Sequence, residues 1–109
     1  MTSSATEAGR GPAARPALAV GVAVGEDALS VELDDGRTVS VPLAWYPRLL
    51  HGTAAERGRW QLVGRGEGLH WPDLDEDVAV EDLLAGRPSG ESPRSLQRWL
   101  DGRATRGAA

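Results

Sequence analysis

ALSVELDDGRTVSVP, residues 28–42, carries two runs of alternation on either side of a turn. Leu29, Val31 and Leu33 alternate with Ser30 and Glu32, and after Gly36 the pattern resumes through Val39 and Val41. A period of two is the mark of a strand with one buried face. Asp34-Asp35-Gly36 between the runs signals a tight hairpin, because glycine accepts the positive φ such turns require. Upstream, residues 17–24 (ALAVGVAV) are Val-rich and short enough for a further buried strand. Residues 17–42 are therefore predicted as a three-stranded meander.

Downstream the period is lost. Residues 43–50 (LAWYPRLL) hold an internal Pro47 and read as an irregular or helical turn placing Trp45, Leu49 and Leu50 in the core. Thr53-Ala-Ala-Glu56 has the spacing of a capping box opening a brief helix, with Gly58 soon after. Residues 60–63 and 69–71 are two more strands around Gly64-Arg-Gly66-Glu-Gly68. Residues 78–86 (VAVEDLLAG) close in a short helix that Gly86 ends. Residues 87–93 form a linker. Ser92-Pro93 then starts a last helix over 93–101, with Ser as cap and Pro at the first helical position. The predicted class is α+β: a small, mostly antiparallel sheet of about five strands with short helices and a C-terminal helix.

Around this domain of 17–86, the expected organisation is a disordered tail at 1–16 and a basic disordered end after residue 101. The tail, MTSSATEAGRGPAARP, has almost no large apolar side chain with which to offset the entropy of ordering. A core of about 70 residues is only marginally stable alone, so a dimer, a partner or the C-terminal segment is expected to add burial. Residues 17–25 resemble the apolar part of a signal peptide in length, but glycines interrupt them and Glu26-Asp27 follow at once. No apolar run reaches the roughly 20 residues of a membrane span. A cytoplasmic protein is expected.

The 109 residues contain no Cys and no Lys, and only two His. That excludes a disulfide frame, a thiolate zinc site, a P-loop lysine, a Schiff base and a three-His metal centre. The glycine-rich string 64–68 lacks the following helix that a dinucleotide loop needs. Asp73, Asp75 and Asp77 have the first spacings of a calcium loop, but Val78 and Leu84 stand where that loop needs Gly and Glu. Neither a metal nor a cofactor is expected. No nucleophile elbow occurs, and spacing does not pair His51 with His70, each reading as a loop or strand-surface residue, so the chain is read as non-enzymatic.

Charge is segregated. The net charge of −4 conceals residues 17–86, with five Arg against thirteen acids, and residues 87–109, with five Arg against two acids. An acidic body repels nucleic acid, and it suits either a small basic protein partner or a purely solubilising role. Two contact surfaces follow. One is a solvated acidic edge of Asp73, Asp75, Glu76 and Asp77 with Trp71 beside it. The other is the stripe Leu96, Trp99 and Leu100, which shares one helix face and is equally suited to docking on its own core. The alternative function is a dimeric transcriptional regulator that touches DNA through Arg94, Arg98, Arg103 and Arg106 of its C-terminal segment.

The motifs DDGR at 34–37, VPLAWYPRL at 41–49, TAAER at 53–57, LHWPDLDEDVAVEDLLAG at 69–86 and SLQRWL at 95–100 together resemble the bacterial family of small domains called domain of unknown function 2442. The likeness covers roughly 17–100. It implies a small α+β domain without established enzymatic activity, and a frequent genomic neighbour, another small domain (of unknown function 4160). That pair is commonly proposed as a toxin–antitoxin module, and this chain's type would be the antitoxin-like half. Ala79 departs from the family pattern, which often places a capping Ser there. The single helix predicted after Pro93 is not the two-helix reader of the helix-turn-helix that some relatives append, so none is expected in these residues.

Overall fold

The computed structural model describes residues 16–108. The tail expected at 1–16 thus lies, save for Pro16, outside the described residues. Strands β1 (Ala19–Val24), β2 (Ala28–Leu33) and β3 (Thr38–Pro42) form the expected antiparallel meander. Leu29 pairs with Val41 and Val31 with Val39, which puts the apolar side chains on one face. Ser30 and Ser40 share a hydrogen bond of 2.7 Å on the other. The turn closes through Leu33 N–H to the Arg37 carbonyl at 2.8 Å, with Gly36 at φ 95°.

The single sheet expected is instead two sheets of three strands. β4 (Gln61–Val63), β5 (Gly68–Trp71) and β6 (Glu76–Ala79) make a second antiparallel meander. The strand missing from the sequence reading is β6. Asp75 takes a left-handed conformation, φ 51°, at the end of the turn after Trp71 and sends the chain back along β5. From there Glu76 and Val78 face inward while Asp77 faces out. A carboxylate at an inward position disguises the alternation.

One core serves both sheets. Leu29, Val31, Leu33 and Val41 of the first cluster with Leu69, Trp71 and Val78 of the second. The sheets also meet through backbone: Ala19 N–H donates to the Gly66 carbonyl at 2.8 Å, and a Cβ on Gly66 would lie 2.6 Å from the Ala19 carbonyl oxygen. Gly66 has φ 116°, so both space and conformation require glycine there.

Between the meanders lie a 3₁₀ turn at Leu43–Trp45, helix α1 (Pro47–Leu50) and helix α2 (Ala54–Gly58). Leu43, Tyr46 and Leu49 are the buried anchors, while Trp45 is half-buried and Leu50 is exposed. Of the three core residues expected here, only Leu49 is fully inside. Leu50 follows it directly, and adjacent residues on a helical turn cannot share a face. The capping box is present: Thr53 Oγ1 accepts from Glu56 N–H at 3.1 Å, and Glu56 Oε1 accepts from Thr53 N–H at 2.8 Å.

Helix α3 (Val80–Ala85) buries Val80 and Leu83 and ends at Gly86, φ 73°. Ala79 gives it no side-chain cap, and Val80 N–H donates instead to the Glu67 carbonyl at 3.0 Å. Helix α4 spans Pro93–Ala108. Ser92 Oγ accepts from Ser95 N–H at 3.1 Å, as its sequence position predicts. The helix does not stop at 101. A Gln97–Asp101 bond of 2.9 Å and an anchored Arg103 carry it through Gly102. No helix among the described residues is long and apolar enough to cross a membrane.

Candidate functional site

Arg48 of α1 is the hub around which three remote segments meet. Its Nε and Nη2 fork onto Glu91, the latter at 2.6 Å from Oε2, while Nη1 donates to the Asp75 carbonyl at 3.1 Å. Ser95 Oγ donates to the same Glu91 carboxylate at 2.7 Å. The fork holds the Glu91 carboxyl below the usual range, so it is a weak base and leaves the Ser95 hydroxyl unactivated. Arg48, Asp75, Glu76, Asp77, Glu91 and Ser95 line an open polar pocket of about 410 Å³.

The acidic edge is not uniform. Asp73 is paired with Arg59. The side chains of Asp75 and Asp77 are 84% and 72% exposed, Asp75 reaching Arg48 at 3.5 Å and Asp77 bonded to His70 Nδ1 at 2.8 Å. Glu76, expected on the solvated edge, is only 8% exposed because the alternation of β6 turns it inward. Burial raises its pKa to about 7, with the charge of Glu91 next in effect and Arg48 opposing. Trp71, expected beside that edge as a contact, is fully buried and donates its indole N–H to the Arg57 carbonyl at 2.9 Å. It offers no surface to a partner.

The second expected surface rests in part against the chain's own body, through Trp99. Leu96, Trp99 and Leu100 are half-buried, and Trp99 packs on the core. The guanidinium carbons of Arg48 and Arg103 lie over its ring, 5.1 and 4.7 Å from the centroid. Arg103 also grips both oxygens of Glu56, at 2.9 and 3.1 Å, and lowers that carboxyl to about 2. Of the arginines considered for DNA, Arg103 is thus engaged internally, whereas Arg94 and Arg98 are exposed; Arg106 belongs to the last turns of α4.

Arg48, Glu91 and Ser95 were not singled out in the sequence. Arg48 and Glu91 stand 43 positions apart, a separation no local pattern reports. Glu76 had a usable signal in its spacing from Val78.

A crystal structure of a protein of unknown function from Rhodospirillum rubrum ATCC 11170 is similar to this chain, with a TM-score of 0.62 and 24% identity over 71% of this chain and 95% of that one. That likeness establishes the fold alone. No protein of curated function gives a significant match. The family described as "Protein of unknown function (DUF2442)" matches residues 19–89, which takes in Arg48 and Asp75–Asp77 and stops short of Glu91 and Ser95. With most of its length inside that match, the chain belongs to the DUF2442 family.

Proposed function

We propose that this chain is a non-catalytic protein-interaction module, the antitoxin-like half of a toxin–antitoxin pair, and that its acidic face engages a small basic partner protein. The open rim formed by Asp75 and Asp77 carries the proposal. These two carboxylates stand exposed beside a polar pocket in a body whose acids far outnumber its arginines. Such a face steers an oppositely charged partner and disfavours a like-charged one. Engagement of Arg103 with Glu56 subtracts from the charge available for phosphate contacts, and this favours a protein partner over DNA.

Co-expression with the product of the neighbouring gene tests the proposal. The two proteins are expected to co-purify and to separate as salt is raised, with D75N/D77N weakening the complex about tenfold. Separate elution at micromolar concentration and low salt would overturn it.

A further inference from the structure

We propose that the pocket between α1, β6 and the start of α4 receives one basic side chain of the partner protein, with Glu76 as its counter-ion. This deepens the partner reading above and rests on it. Glu76 lines the pocket while being nine-tenths buried. Among the described residues its carboxylate makes no hydrogen bond and no ion pair. Its neighbours are all committed. Glu91 is held by Arg48 and Ser95, Asp77 by His70, and Asp75 lies 3.5 Å from Arg48. Arg48 is directed away from Glu76, with Nε and Nη2 on Glu91 and Nη1 turned to Asp75. A buried carboxylate lacking a partner is unfavourable, and such a group at a pocket wall marks a place where a partner is supplied from outside.

The surroundings fix the chemistry of that partner. Glu76, Glu91 and Asp75 line the pocket with Arg48, and Asp77 stands on the outer face of β6 beside it, so acids outnumber the guanidinium and the field is negative. No three His, Asp or Glu among the described residues come together closely enough to hold a metal ion. The dispersed arrangement suits a larger organic cation on an aliphatic stem, which an arginine or lysine side chain provides. Glu76 also sits among Glu91, Asp77 and Asp75, with Arg48 opposing, and burial lifts it to about 7. A bound cation lowers that value, so uptake of the cation is coupled to loss of the Glu76 proton.

NMR titration of the full chain with N-acetyl-arginine amide tests this, with N-acetyl-lysine amide and the uncharged N-acetyl-citrulline amide as parallel arms. The expected result is saturable amide shifts at residues 75–77, 91 and 95 with one or both cations and none with citrulline. Binding is expected to weaken several-fold from pH 8 to pH 6 and to weaken about tenfold, without pH dependence, in E76Q. The side-chain carboxyl resonance of Glu76 in the unmutated protein gives a readout independent of any variant's folding. Its midpoint should fall by about one pH unit at saturating cation. Shifts that stay linear and spread over all exposed acids, or a Glu76 midpoint unmoved by either cation, would overturn the pocket. The two proposals fail separately. A neighbour protein that co-purifies equally with wild type and E76Q, with no response to the amides, overturns the pocket and keeps the partner. Amide binding without co-purification does the reverse.

Discussion

Glu76 holds a carboxylate where strand alternation calls for an apolar side chain, and folding has to accommodate it. Its pKa rises from the ordinary 4.5 to about 7, so the folded chain keeps this proton to higher pH than the unfolded chain does. The penalty is absent below about 4.5, grows as pH rises and is complete above about 7. E76Q, which removes the charge and keeps the shape, is therefore expected to stabilise the protein by about 1–3 kcal/mol at pH 8 and to change little at pH 4. Urea denaturation at the two pH values checks this. The acidic surroundings of Glu76 were visible in the sequence, whereas its orientation was carried only by the two-residue spacing from Val78. The left-handed backbone at Asp75 sets where β6 begins, and Asp is only one of several residues that tolerate that conformation.

At the level of elements, local chemistry was legible wherever a side chain acts on its own backbone. Thr53 with Glu56, Ser92 and Gly86 each mark a helix end that the structure contains. The length of α4 was not legible, because it depends on Glu56, 47 positions before Arg103. Among the described residues, the ion pair of Arg103 with Glu56 and the Trp99 ring packed on the edge of the core hold α4 to the body. W99A removes the half-buried ring and both cation–π contacts. It is expected to cost about 1–2 kcal/mol. Hydrogen exchange should quicken over residues 96–104, with little change in the strands.

Across the whole molecule, two sheets depend on one set of buried side chains. Trp71 is fully enclosed within that shared cluster, and truncating it should weaken both sheets together. W71A is expected to cost about 3–5 kcal/mol, and amide probes in β2 and in β5 should report the same denaturation midpoint in wild type and variant. Distinct midpoints would mean two units. Class and strand positions in the first sheet followed from pattern, whereas division into two sheets did not, because alternation says which face is buried and is silent on which strands are neighbours. The chain order of those neighbours has a kinetic consequence. Every strand pair joins sequence neighbours, β1 to β2 to β3 and then β4 to β5 to β6. Each ladder thus closes over a short loop, and a chain that zips locally folds fast. What local pairing leaves over is the long-range contact between the two ribbons, and Gly66 seated on Ala19 is a point where their backbones meet.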